Sequence, residues 1–504
     1  MKPNKIGFWA FIAQKLSSLF GKGAKKEHSN NKNKLTDPLD KELIRFGKAG
    51  AITTRTANSS TIVFGATGSG KTSSTSRLYN TAFLKAGMGG LVLTVKNDVL
   101  AEWKAYMKET GRSEDLIVIS EKNPYRFNFL EYELNRSGEG GGNTTNIIDL
   151  LMTIVEMGNS EKGNNNNSDS FWTDSLRELL TNVVDLLRLS SEKLTMENID
   201  NVILSMPESL EEVTEENWQV GSYCFECLSV VEKLDRNKEE EIIYDQLLKY
   251  FLKKIASLDE RTRSNILATY SSSFNYFQRG ILRELFCTAT NISPEMTFEG
   301  KVILINLPVL EYNKVGQFAQ TIFKYLFQKS VERRLVKKDT RNVFLTSDEF
   351  QYTLVDSDIL FQSTCRSAKC SVLYLTQSIE GLYSRFPNNG KNKVESLLAS
   401  MTTKIFHSNN SNSTNEYAAK TIGRIWDKRA NFNRNQRDGG AAGVNVGEAS
   451  SVEFQILPYS FSILKTGGPI HNFQVEAIIT IAGKLWANNK NYLKVIINQK
   501  NNQL

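Results

Sequence analysis

Apolar residues first recur at spacings of three and four between residues 6 and 20, where Phe8, Trp9, Ile12, Leu16, Leu19 and Phe20 are interrupted by Gln14, Ser17 and Ser18. That pattern predicts an amphipathic helix. From Asp37 the texture changes to short β-rich runs over 60–64, 91–95, 116–119, 301–307, 343–347, 371–376 and 403–406, mostly followed by helix-length segments. The alternation predicts an α/β fold, with a mainly parallel sheet covered by helices. Between about 145 and 285 the period lengthens, as in Phe171, Trp172, Leu176, Leu179, Leu180, Val183, Val184 and Leu187. An all-α domain inserted between two halves of the α/β domain is the economical reading. The expected segments are therefore 1–36, a basic amphipathic start; 37–144, the first α/β part; 145–285, the helical insert; and 286–504, the second α/β part. Residues 138–143 with 163–170, and 429–447, are rich in Gly, Asn or Arg and are expected to be flexible.

Composition narrows the class. The 504 residues are 40% apolar and 23% charged, which excludes wholesale disorder. Five scattered cysteines do not make a disulfide scaffold and favour a reducing compartment. No run reaches the ~18 apolar residues of a membrane span, and the start lacks the apolar core and cleavage site of a secretion signal. The net charge of +7 lies wholly in residues 1–36, where eight lysines face one acid, Glu27. The rest of the chain is formally neutral, so a DNA-binding reading of it must rest on local geometry. The lysine-flanked helix fits either an anionic membrane surface or a docking site on protein.

The strongest local signal is Gly65-Ala66-Thr67-Gly68-Ser69-Gly70-Lys71-Thr72, followed by Ser73. It stands after a buried strand and before a helix, as a phosphate-binding loop requires. Its glycines let backbone amides curl around phosphate oxygens, Lys71 reaches the β- and γ-phosphates of ATP, and Thr72 offers its hydroxyl to Mg²⁺. Asp348 and Glu349 end another apolar strand. Asp348 suits the metal-bound water and Glu349 the activation of an attacking water, although acidic pairs at strand ends are also ordinary solubilising features. Gln377 ends the next strand, where it can sense the γ-phosphate or be a plain polar strand end. Cys224 and Cys227 have metal-like spacing but no second pair, and read as helix surface or core. His28, His407 and His471 are too dispersed for a cluster. Lys428, Arg429, Arg434 and Arg437, with Phe432, form a basic stretch that can track a phosphate backbone or simply be solvated.

In this order, several motifs resemble the TraG/TraD-type coupling ATPases of conjugation and type IV secretion, from about Gly47 to Gln499. They are the phosphate loop, Leu93-Thr-Val-Lys-Asn-Asp98, Arg126-Phe-Asn-Phe-Leu130, Phe171-Trp172, Glu260 through Leu267, Asp348-Glu349-Phe350, Arg366 through Gln377-Ser378, and Leu464-Lys-Thr-Gly-Gly468. The resemblance implies a RecA-like P-loop ATPase using ATP and Mg²⁺, assembled as a homo-hexamer with nucleotide between subunits. Such a ring delivers relaxase-bound, single-stranded DNA to a secretion channel. The resemblance also implies that Gln377 is a sensor, that Arg366 is an arginine finger for the neighbouring subunit, and that the helical insert docks the relaxase. Most relatives begin with two membrane-spanning helices, which this sequence lacks. The expected location is the cytoplasm, or the cytoplasmic face of the inner membrane through the basic helix or a membrane partner. Val95 and Asn97 depart from the family's usual residues around Lys96. Two rival readings are an ATP-gated docking platform for protein substrates and a motor for DNA packaging or repair.

Overall fold

The computed structural model describes residues 37–159, 167–386, 389–435 and 443–500. The amphipathic helix expected over 6–20 and Arg437 lie outside them. The chain divides into two units, Met1–Lys41 and Glu42–Leu504. The described part of the first is a single 3₁₀ turn, Pro38–Asp40, in which the Asp37 carboxylate accepts a hydrogen bond from the Leu39 amide (3.0 Å).

The second unit opens with a small antiparallel pair, β1 (Glu42–Arg45) and β2 (Ala51–Thr53). The central sheet then takes β3 (Thr61–Phe64), β4 (Gly89–Leu93), β5 (Leu116–Ile119), β6 (Val302–Ile305), β7 (Val343–Ser347), β8 (Cys370–Thr376) and β9 (Thr403–Phe406). A separate ribbon is made by β10 (Arg424–Asn435) and β11 (Gly443–Phe454), and the chain returns to the sheet with β12 (Gln474–Ile481) and β13 (Tyr492–Asn498). The nine-stranded order is β13-β12-β9-β3-β8-β7-β4-β6-β5. β3 through β9 pair in parallel, while β12 joins β9 and β13 antiparallel. β3 through β9 lie where the apolar runs placed them, whereas no expected run covers β1, β2 or β10 to β13.

The central strands β3, β4, β6, β7, β8 and β9 are buried along their whole length, as strands covered on both faces must be. Alternate residues divide between two apolar cores: Ile62, Phe64, Leu91, Leu93, Ile303 and Ile305 face one, while Val63, Val92, Val302 and Leu304 face the other. The helices from Thr144–Asn159 to Gly280–Phe286 lie between β5 and β6 in sequence. Their buried residues, among them Ile147, Leu151, Leu180, Val184 and Phe274, belong to the same continuous core as Ile62 and Phe64. Among the described residues, no helix is long and apolar enough to cross a membrane.

One expectation is corrected by the fold. The 429–447 stretch is not a simple flexible loop, because its described parts belong to the β10–β11 ribbon, paired in register from Arg424↔Phe454 to Asn435↔Gly443. The register sets Trp426 opposite Val452 and Phe432 opposite Val446. Residues 427–431, mostly charged or polar, separate Trp426 from Phe432, so no period-two apolar alternation marks the strand in the sequence.

Candidate active site

β3 delivers the glycine-rich loop to the carboxyl end of the parallel strands. The Gly65 amide donates to the Thr376 carbonyl (3.2 Å) and the Ala66 amide to the Ser408 carbonyl (2.9 Å), so the strand ends on either side shape the loop. Thr67 and Gly68 form its exposed apex. Gly68 and Gly70 take φ of 76° and 82°, which a side chain would resist. At Gly70 a Cβ would also lie 2.7 Å from Val475 Cγ2 and 3.0 Å from the Thr466 carbonyl oxygen. The Ser69 hydroxyl is buried and has no partner among the described residues. The first turn of the following helix, Thr72–Ser76, is π-type and runs into Arg77–Lys85. Ser73 and Ser74 both donate to the Gly70 carbonyl, at 3.4 and 2.6 Å.

β7 sets its two carboxylates directly against this loop. Lys71 Nζ lies 3.1 Å from Glu349 Oε1, with both side chains almost wholly buried. Thr72 Oγ1 donates to Asp348 Oδ2 at 3.3 Å, while Asp348 Oδ1 is buried with no partner among the described residues. Gln377 Nε2 donates to Glu349 Oε1 (3.2 Å), and Gln351 Nε2 donates to Oε2 (2.9 Å). Burial is the largest influence on both carboxyls. It raises the Asp348 pKa, and the neighbouring Glu349 charge adds to the effect. For Glu349 burial is outweighed by Lys71, Gln351 and Gln377 together, which hold it below the usual range. Glu349 also adopts a left-handed backbone, φ 54° and ψ 55°, a strained conformation for a non-glycine residue. A hydroxyl beside a carboxylate with one free oxygen is a donor set that suits a hard divalent cation such as Mg²⁺.

The structure thus brings together the loop 65–73, Asp348, Glu349 and Gln377. Arg366 stands apart, exposed in the turn before β8. The seven residues of β8 separate it from Gln377 by about 20 Å. Among the described residues its side chain has no hydrogen-bond or ion-pair partner. Lys96 lies close enough to Asp348 to lower that carboxyl's pKa, although burial keeps the net shift upward. Cys224 and Cys227 are buried on the helix Tyr223–Lys233, burial pushing the Cys227 thiol up to about 11. No cluster of metal-ligating side chains forms among the described residues.

Sequence reasoning missed the end of β9. His407 Nε2 meets Thr75 Oγ1 at 2.8 Å, on the helix that follows the glycine-rich loop. Burial, reinforced by the Lys71 charge, pushes its pKa down to about 3, so the ring is neutral. Asn409 Nδ2 donates to the Gln377 carbonyl (2.7 Å). The signal was available, since both residues follow a buried strand just as Gln377 does.

A second buried cluster lies nearby. Asp358 and Lys324 form a fully buried ion pair. The same carboxylate accepts from Gln328 Nε2 (2.7 Å), the Tyr374 hydroxyl (3.2 Å) and the Val355 amide (2.9 Å). Lys324 also donates to the Thr353 carbonyl at 2.5 Å. The Tyr374 ring stacks on Phe350, next to Glu349, with centroids 3.6 Å apart.

Comparison with known proteins follows the same lines. Residues 15–448 match the family model described as Type IV secretory system Conjugative DNA transfer. No curated protein sequence matches the chain. Among solved structures, the chain is similar to the bacterial conjugative coupling protein TrwBdeltaN70 in its unbound monoclinic form, with TM-score 0.57, 16% identity, and coverage of 90% of this chain and 89% of that one. It is also similar to the plasmid coupling protein TrwB in complex with the ATP analogue ADPNP, with TM-score 0.56, 15% identity, and coverage of 91% and 90%. The complex of TrwB with ADP and Mg²⁺ gives TM-score 0.50 at 15% identity, with coverage of 91% and 90%. At these identities the likeness is one of fold.

Proposed function

The chain belongs to the Type IV secretory system conjugative DNA transfer family, and from that premise we propose that it is a coupling ATPase that hydrolyses ATP to move DNA toward a secretion channel. The observation that carries this reading is the pairing at the strand ends: Lys71 with Glu349, and Thr72 with an Asp348 that keeps one oxygen free. The nucleotide and Mg²⁺ complexes of the TrwB fold support it.

In this reading the amides of residues 65–73 hold the phosphates, and Thr72 and Asp348 hold Mg²⁺, which when bound supplies charge neutralisation. Glu349 orients the attacking water and takes its proton, with Gln377 fixing the carboxylate from the other side. Lys71 gives the site a built-in order. While its ammonium rests on Glu349, that carboxylate is a weak base. When Lys71 moves onto a phosphate, Glu349 loses its largest charged partner and becomes more basic. The base is therefore released by the substrate it acts on.

The remaining assignments complete the proposal. The protein works as a homo-hexamer at the cytoplasmic face of the membrane, reached through residues 1–36 or a membrane partner. Residues 37–144 and 286–504 form the motor and residues 145–285 the docking domain for a relaxase carrying single-stranded DNA. Arg366 completes the neighbour's site, which agrees with its distance from Gln377.

The test uses ATP turnover of the full chain with and without single-stranded DNA. Stimulation by DNA is expected, and equal rates would favour the docking platform over the motor. Lys71→Ala and Arg366→Ala are each expected to abolish stimulated turnover, and mixed rings are expected to regain part of it. No recovery in rings shown to contain both subunits would reject Arg366 as a residue acting in the neighbouring site.

A further inference from the structure

The strand order fixes which way a nucleotide lies over the loop. β7, with its two carboxylates, is on one side of β3, and β9, β12 and β13 are on the other. A triphosphate whose terminal phosphate faces Asp348 and Glu349 therefore leaves its nucleoside on the side of the β12–β13 hairpin. That hairpin reaches the loop directly. Val475 on β12 abuts Gly70, and Gln499, just beyond β13, donates from Nε2 to Ser73 Oγ at 2.6 Å.

At this edge stands a strained aromatic residue. Asn472 and Phe473 are consecutive non-glycine residues in the left-handed region, with φ of 52° and 60°. For a bulky residue such as Phe this conformation is an outlier that the surroundings must impose. Two backbone bonds impose it: the Phe473 amide donates to the Gly468 carbonyl (2.7 Å), and the Gln499 amide donates to the Phe473 carbonyl (2.9 Å). The strain does not serve packing, because Phe473 belongs to neither apolar core and its side chain is half-buried. The half-buried ring remains reachable from solvent, with Lys500 Nζ 4.0 Å from its centroid. Gln499 ties the position of Phe473 to Ser73 at the start of the phosphate-loop helix.

We propose that Phe473, presented by the C-terminal hairpin beside Ser73, is the platform on which the aromatic base of the bound nucleotide stacks. This rests on the reading of residues 65–73 as the nucleotide cradle. Stacking on an aromatic ring is indifferent to base identity, since every base offers a π-face. Phe473 then contributes to nucleoside affinity and not to phosphate chemistry.

The experiment measures binding of ADP, ATP and inorganic tripolyphosphate, with Mg²⁺, to the full chain. Phe473→Ala is expected to weaken ADP and ATP about tenfold, within the range found for base–aromatic stacks, and to leave tripolyphosphate unchanged. Phe473→Trp, which keeps a stacking face, is expected to restore nucleotide affinity. Unchanged nucleotide affinity in Phe473→Ala would overturn the proposal. So would an equal loss for nucleotide and tripolyphosphate, which would make Phe473 a structural support of the loop. Lys71→Ala separates this from the underlying reading: if it leaves ATP and tripolyphosphate affinity intact, the cradle assignment itself fails.

Discussion

Two clusters of buried charge flank Phe350, and they are built to different standards of completeness. In the one around Asp358, both carboxylate oxygens are engaged by Lys324, Gln328, Tyr374 and Val355. In the one around Asp348, a carboxylate oxygen and the Ser69 hydroxyl are buried without partners among the described residues. Burying an ionised group is costly in either place, so burial alone does not distinguish them. What distinguishes them is where bonding capacity is left unfilled: on the carboxylate itself at Asp348, which calls for a missing ligand, and on the neutral amide oxygen of Gln328 beside Asp358. The Asp358 cluster acts as a frame. Through Tyr374 stacked on Phe350, and through Lys324 on the Thr353 carbonyl, it holds the segment that keeps Glu349 in its left-handed conformation.

The largest expected effect is on the unfilled side. Glu349→Gln should lower ATP turnover by roughly 10²–10⁴-fold, the usual worth of a positioned general base, while nucleotide binding persists. A filter-binding assay beside steady-state kinetics checks both halves, and wild-type turnover would remove Glu349 from the role.

On the framed side the loss should fall on stability. Asp358→Ala leaves Lys324 buried without its counter-charge and should cost about 3–5 kcal/mol, read by urea denaturation. Replacing both partners, Lys324→Met with Asp358→Leu, should recover most of that loss. If the double variant is no more stable than Asp358→Ala, the cost comes from the other bonds of Asp358 and not from the stranded ammonium.

The smallest effect concerns pH. His407 titrates near 3 in the folded chain, held down by burial and by Lys71. In the unfolded chain it titrates at its ordinary value of about 6.5. The unfolded state therefore binds the extra proton first, and stability falls as pH drops below about 6.5. About nine-tenths of one proton is at stake by pH 5.5, and the accumulated loss amounts to about 1.4 kcal/mol. His407→Gln should flatten that part of the pH–stability curve, and an unchanged slope would assign the dependence to other groups.

Much of this was legible beforehand, and for identifiable reasons. Strands buried on both faces write themselves as unbroken apolar runs, and the runs at 116–119, 343–347 and 403–406 coincide with β5, β7 and β9. The carboxylates could be located because each follows such a run. The ribbon was obscured because Asn, Gly and Asp carry turn signals even where backbone pairing overrides them. The Lys324–Asp358 pair was invisible because nothing in one sequence says that a lysine and an aspartate 34 residues apart will be buried together. The left-handed Glu349 was invisible too, since glutamate carries no local preference for that conformation.

The strand order has a consequence for biosynthesis. β3 is gripped only by β8 and β9, with Phe64 beside Thr376 on one side and Phe406 on the other. Translation at about 5–20 residues per second puts roughly 17–70 s between the emergence of Phe64 and that of Phe406. Until β8 emerges, which takes most of that interval, the nascent chain must keep an apolar strand and a glycine-rich loop without either neighbour, which is the slow, nonlocal kind of assembly that exposes chains to chaperones. A chain stopped before Cys370 contains the whole glycine-rich loop and neither of the strands that give it shape.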